Sequence, residues 1–310
     1  MTTKIEKTIP LDGIDYATTL HLPATSSLSP HPPTAPLIAL SHALMASSAM
    51  WDPLVPLLLA QGYRVLTYDH PGHNATSDPP PPLHPFIHFD TLTSHLHALV
   101  TTHNTSCFAP VLASPTSYPT VNLAATSPDD VFALIGCSMG AVLSLRYAML
   151  YPTKVARVVA VGAPGLTSLE AAKPLWEERI ALFEKDRSEG TEELVERTVQ
   201  RWLPGSEERS VKARERARNM TRACRLAGYR ACTGGIRGYD YLGELGKVEA
   251  RTLVVVGDRD GAVGERGINE DVARRTRGRF VWLEGAGHLP PIHLENEFGK
   301  LVLEFLEEEG

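Results

Sequence analysis

The sequence Gly136-Cys137-Ser138-Met139-Gly140 puts a serine between two glycines, each two residues away. That spacing fits a nucleophile elbow, a sharp turn from strand to helix that lifts the serine hydroxyl out of the chain. A turn so tight leaves room only for small flanking residues. Serine alone is a weak nucleophile at neutral pH and needs a base. Downstream, Gly257-Asp258-Arg259-Asp260 and Gly285-Ala286-Gly287-His288 each end a strand-like run, which gives the chain order Ser, acid, His. In this arrangement His288 takes the Ser138 proton and returns it to a leaving group. The acid holds the imidazole tautomer and stabilises the imidazolium. Asp260 is favoured over Asp258 by its spacing from Gly257, and either carboxylate could instead be a loop-capping group. Cys137 sits at the variable position of the elbow and reads as a buried small residue.

Acyl transfer also requires donors for an oxyanion. The Met139 amide, directly after the serine, is one. The loop after the run PLIALSH, His42-Ala43-Leu44-Met45, supplies the other, assigned to the Leu44 amide. The expected reaction is hydrolysis of a small-molecule carboxylic ester or lactone through an acyl-enzyme, with no metal or organic cofactor. The same three groups would also serve a lactone-forming cyclase, an acyltransferase or a carbon–carbon hydrolase. A ligand-binding protein that keeps the constellation but turns over slowly is the reading from another class.

These groups need a scaffold that brings strand ends to one edge. Continuous apolar runs recur at 36–42, 63–70, 130–138, 155–164, 252–260 and 279–288, the pattern of a parallel sheet buried on both faces. Helical segments between them, such as 52–61 and 140–150, predict βαβ units and an α/β fold with a mostly parallel central sheet flanked by helices. Such sheets place their sites in loops beyond the carboxyl ends of the strands. A hairpin turning at Asp12-Gly13 precedes them. Residues 101–129 are polar, rich in Ser, Thr and Pro, and predict an irregular excursion. Residues 166–248 are charge-rich and helical in pattern, and predict a lid between core segments 1–165 and 249–310. Trp176, Arg179, Trp202, Tyr239 and Tyr241 are its candidate substrate-binding residues. The basic run from Lys212 to Arg225 reads as a solvated face balanced by Glu207, Glu208 and Glu215.

With 310 residues, 43% hydrophobic and 21% charged, the chain can bury a substantial core. A net charge of -6 gives no general attraction to nucleic acid or anionic membrane. No apolar stretch is long enough for a membrane span, and the first residues lack the apolar core of a secretory signal. The four cysteines show no CxxC spacing and read as free thiols, and the twelve histidines form no recognised metal motif. A cytoplasmic location follows as an expectation. A homodimer is compatible with the sequence but not required by it.

Over most of its length the chain resembles the α/β-hydrolase superfamily, and within it the 3-oxoadipate enol-lactone hydrolase-like group. LSHALMASSAMWDPL resembles that group's oxyanion loop, YDHPGHNATSDPP its D-x-R-G-H-G-x-S stretch, and GCSMG its elbow. YPTKVARVVAVGAP and AGYRACTGGIRGYDYL resemble its strand and lid sequences. TLVVVGDRD and GAGHLPPIHLENEF resemble its acid and histidine motifs. The resemblance implies the same triad and a cofactor-free hydrolase. Departures stand at His42 and Ala43, where the group often has Asn-Ser; at Pro71, in place of Arg; and at Asn74 and Ala141, each in place of Gly.

Overall fold

A computed structural model describes residues 3–25, 35–84, 86–112, 130–168, 170–261 and 265–308. The hairpin is present: β1 (Thr3–Leu11) pairs antiparallel with β2 (Ile14–Leu22), Leu11 opposite Ile14. Asp12 and Gly13 turn at φ 48° and 77°, both in the left-handed region that this two-residue loop demands. The apolar runs form β3 (Leu37–Ser41), β4 (Arg64–Tyr68), β5 (Val131–Cys137), β6 (Val155–Val161), β7 (Arg251–Gly257) and β8 (Arg279–Leu283). They make an eight-stranded sheet in the order β1-β2-β4-β3-β5-β6-β7-β8, parallel from β4 to β8. Every residue of β3, β4 and β5 is buried, so β-branched and aliphatic side chains cover both faces without alternation.

Helices α1 (Leu54–Ala60), α2 (Phe89–Leu112) and α3 (Met139–Leu150) connect the first strands. Helix α2 corrects the expected excursion at 101–129, since residues 101–112 continue a helix and 113–129 lie outside the described residues. Thr, His and Asn are poor helix formers, so local propensity hides this extension. Tertiary contacts support it: His103 Nε2 lies 2.9 Å from Thr18 Oγ, and Asn104 accepts from the buried Arg64 guanidinium at 2.9 Å.

Between β6 and β7 the described residues form four α-helices: α4 (Lys173–Glu189), α5 (Glu193–Trp202), α6 (Glu208–Arg222) and α7 (Leu226–Ile236). The two ends of this insert are tied together, with Ser168 N–H donating to Tyr239 O at 2.8 Å and Tyr241 N–H to Leu166 O at 2.6 Å. Helix α4 stops at Gly190, in the left-handed conformation favoured for a C-terminal cap. The buried Asp186 carboxylate then accepts the Glu193 and Leu194 amides at 3.0 and 2.7 Å and fixes the start of α5. In α5, Leu194, Val195, Thr198, Val199 and Trp202 form one buried stripe at helical spacing. The basic run on α6 is paired, mainly with other carboxylates than expected: Arg216 with Glu295, Arg218 with Glu196 and Arg222 with Glu192. Lys212 does meet the expected Glu208, whereas Glu207 meets Arg259. Helices α8 (Arg266–Arg275), α9 (Pro290–His293) and α10 (Glu295–Glu307) complete the chain. No described helix is long and apolar enough to cross a membrane.

Candidate active site

Ser138 stands between β5 and α3 with φ 54° and ψ −114°, a strained conformation for a residue with a side chain. The flanking glycines are required by contact. A Cβ on Gly136 would lie 2.0 Å from the Gly140 carbonyl oxygen, and one on Gly140 would lie 2.1 Å from that of Ser41 at the end of β3. The Ser138 amide donates to Val161 O at 2.8 Å, which locks the elbow against the end of β6. The side chain keeps partial access to solvent.

His288 and Asp260 meet directly: Nδ1 of the imidazole is 2.7 Å from Oδ2 of the carboxylate, and both side chains are buried. A carboxylate can only accept, so Nδ1 carries the proton and Nε2 keeps the lone pair that a general base needs. The pair leans on Gly162, the residue after Val161. A Cβ there would stand 3.0 Å from Asp260 Oδ2 and 3.1 Å from His288 Nδ1, and φ is +55°. Glycine is required at this position, which the sequence reading did not single out. The Val161–Gly162 peptide thus links the elbow to the acid–histidine pair. Gly162→Ala is expected to lower turnover at least tenfold, because the new methyl must push the pair out of alignment. Steady-state kinetics on the purified variant, with a thermal melt to confirm folding, would check this.

Asp258 takes the other role anticipated for it. Its Oδ1 accepts the Gly285 amide at 2.7 Å and ties down the loop that carries His288. His293 holds the same loop, accepting the Gly287 amide at Nδ1 (2.8 Å) while Nε2 meets Ser210 Oγ of α6 (2.9 Å). Cys137 is fully buried, and burial together with the Asp260 charge pushes its thiol well above the ordinary range. It is a protonated spectator.

The loop after β3 is held by buried histidines at His42, His70 and His73. His73 Nε2 accepts the Met45 amide at 3.0 Å and its Nδ1–H donates to Pro71 O at 2.9 Å. His42 Nε2 accepts the His70 amide, and its Nδ1–H donates to Ala43 O, both at 2.8 Å. The Met45 and Ala46 amides are therefore occupied, the latter by Ala43 O at 3.0 Å. Among the described residues, the Leu44 and Met139 amides have no such acceptor. Met139 opens α3, so its N–H has no partner within the helix and lies at the positive end of the helix dipole. The departures around this loop have physical reasons. Asn74 takes φ 41°, which asparagine tolerates better than most residues, and its amide donates to Asp69 at 2.8 Å.

Burial lowers His42 and His70, and brings His73 to about 3 and His103 to about 4. Depressed histidines stabilise the fold fully above their unfolded value near 6.5, and that stabilisation is lost as pH falls toward the folded values. Stability against urea is therefore expected to fall between pH 7 and pH 5 by on the order of 1–2 kcal/mol per buried histidine. A midpoint constant across that range would show that these rings protonate freely in the folded chain.

The lid residues divide. Trp176, Arg179 and Tyr239 line a cavity of about 370 Å³ together with Asp260 and Gly261. The Arg179 guanidinium lies 4.8 Å from the Trp176 ring centre. Trp202 packs on His288 instead: its ring centre is 5.9 Å from that of His288, and its carbonyl accepts the His288 amide at 2.7 Å. Tyr241 is engaged away from this cavity, donating to Asp90 at 2.9 Å beneath the Arg146 guanidinium.

The family model described as the alpha/beta hydrolase fold matches residues 36–293. The chain belongs to the α/β-hydrolase family. This hydrolase also superimposes on solved structures over nearly its whole length. A hydrolase from Pseudomonas aeruginosa is 24% identical with a TM-score of 0.73, covering 98% of each chain. The enol-lactonase from Burkholderia xenovorans is 22% identical with a TM-score of 0.75, over 97% of this chain and 100% of that one. A thermophilic esterase from Thermogutta terrifontis is 20% identical with a TM-score of 0.73, over 98% of each. A search of curated proteins gives no match.

Proposed function

We propose that this α/β-hydrolase cleaves a carboxylic ester or lactone of a small molecule through an acyl-enzyme on Ser138. One observation carries the reading: the buried His288–Asp260 bond at 2.7 Å leans on Gly162, next to the carbonyl that anchors the Ser138 amide. His288 Nε2 accepts the Ser138 proton as Oγ attacks the carbonyl carbon. The oxyanion so formed is held by the Leu44 and Met139 amides. His288 then protonates the departing alkoxide, and the acyl group stays on Ser138. In the second half, His288 draws a proton from water, the hydroxide attacks the acyl carbon, and Ser138 leaves with its proton restored. Asp260 remains ionised throughout. The names of an esterase and an enol-lactonase among the structural neighbours support the same substrate chemistry.

The test is a time course with p-nitrophenyl esters of graded chain length and a panel of lactones, wild type beside Ser138→Ala. Turnover confined to wild type is expected, and the length and ring-size profile then sizes the acyl pocket. Absence of hydrolysis on every substrate would overturn the proposal in favour of acyl transfer to an internal hydroxyl, or of ligand binding without turnover.

A further inference from the structure

The segment 69–78 carries two aspartates and no lysine or arginine of its own. Its cation comes from the helical insert. Arg225, the residue before α7, donates from Nε to Asp78 Oδ1 and from Nη1 to Asn74 O, both at 2.8 Å, and from Nη2 to Thr76 O. One guanidinium thus closes on three points of a single loop, a task its rigid fork of donors suits. The backbones join as well. The Arg225 amide donates to Gly72 O at 2.8 Å and the Asn74 amide to Ala223 O at 3.0 Å, a short antiparallel bridge between His73 and Cys224. Gly72 and Gly228 let the chains meet so closely, since a Cβ on Gly72 would lie 2.4 Å from Gly228 Cα.

The same loop holds the peptide that bears the Leu44 amide. A trans peptide is planar, so its carbonyl and its N–H point in opposite directions, and fixing one aims the other. The carbonyl here is Ala43 O, which accepts from His42 Nδ1–H at 2.8 Å and from the Ala46 amide at 3.0 Å. His42 is held in turn by the His70 amide, which donates to its Nε2 at 2.8 Å. On the downstream side Met45 takes φ 64°, uncommon for a residue with a side chain, and His73 Nε2 accepts its amide at 3.0 Å. His70 and His73 belong to one turn, closed by the His73 amide on His70 O at 2.9 Å. The Thr76 amide on His73 O, at 3.0 Å, joins that turn to the residues that Arg225 grips. A continuous hydrogen-bonded path runs from the insert to the Leu44 peptide.

We infer that Arg225 is a positioning residue for the oxyanion amide of Leu44: it clamps the 74–78 loop, so that His70 and His73 keep that peptide aimed at the developing charge. This rests on the acyl-transfer reading of Ser138 and adds to it a part for the helical insert. Preorganised donors need no rearrangement as charge develops, so a loosened peptide slows the reaction more than it weakens ester binding. The Arg225 side chain is partly exposed, so replacing it opens no cavity in the core.

The experiment measures kcat and KM with a p-nitrophenyl ester, and inhibition by an alkyl trifluoromethyl ketone, which forms a tetrahedral oxyanion adduct on the serine. In Arg225→Gln kcat is expected to fall about tenfold or more while KM changes less than about threefold, and the ketone should bind more weakly by about the factor that kcat/KM loses. Arg225→Lys should restore part of the loss. His73→Asn keeps a donor for Pro71 O but is too short to reach the Met45 amide, and should show the same kcat defect. Both changes act on one path, so the double variant should lose much less than the product of the single losses. Thermal melts establish folding. If Arg225→Gln does not fold, Asp78→Asn removes only the charged partner, and a smaller kcat loss at constant KM is expected there. An unchanged kcat in the variant that folds, a loss confined to KM, or a double variant that loses the full product would overturn the assignment. Failure of the acyl-transfer reading is seen separately, as no turnover of any ester by wild type. Amide hydrogen exchange over residues 42–46 then decides. Faster exchange of the Met45 amide in Arg225→Gln supports the clamp, and unchanged protection refutes it.

Discussion

Ser138→Ala is expected to lower ester turnover by about four to six orders of magnitude, to the small rate that substrate positioning and the oxyanion amides provide alone. The variant should fold, because the elbow is held by backbone and by small neighbours rather than by the hydroxyl. The Ser138 amide still donates to Val161 O, and the Gly136–Gly140 contact is untouched. Alanine also relieves nothing of the strained φ of 54°, so stability should change little. Combining Ser138→Ala with His288→Ala should cost hardly more than the serine change alone, since the base has no proton to take once the hydroxyl is gone. Initial rates with a p-nitrophenyl ester, measured at high enzyme concentration, would register this. A residual rate within a hundredfold of wild type would require another nucleophile.

Asp260→Asn is expected to reduce kcat by about three to four orders of magnitude. The asparagine amide can donate to Nδ1, which favours the tautomer with the proton on Nε2. The nitrogen facing Ser138 in the proposed mechanism then carries a proton instead of a lone pair. Desolvation sharpens the effect, because the carboxylate and the imidazole are both buried and no bulk water replaces the lost charge. Asp258→Asn serves as the comparison. Among the described residues its carboxylate holds only the Gly285 amide, at the exposed side of the loop, and an asparagine oxygen can accept the same bond. A loss under tenfold is expected there. Equal losses at the two positions, in kinetics at matched pH, would remove the distinction between them.

The strands were legible in the sequence because a sheet buried on both faces leaves unbroken apolar runs, and each run became a strand. The motifs of the proposed triad were legible for a related reason. Strained turns at strand ends admit few residues, so Gly-x-Ser-x-Gly and the Gly-Asp-x-Asp run carry information in their spacing. Gly162 was not legible, since Gly-Ala-Pro after a strand reads as an ordinary exit until Asp260 and His288 are seen to press on it. His73 was hidden in the same way: its partner is the Met45 amide, 28 residues earlier in the chain. Helix α2 was half lost because Thr101, Thr102 and His103 are poor helix formers, and the contacts to Thr18 and Arg64 come from distant strands.

The most direct measurement of the central claim is covalent labelling with a fluorophosphonate, followed by intact mass and peptide mapping. The account predicts one adduct per chain, attached to Ser138, formed rapidly in wild type and at least a thousandfold more slowly in His288→Ala. No adduct, or an adduct on another residue with Ser138 unmodified, would contradict it.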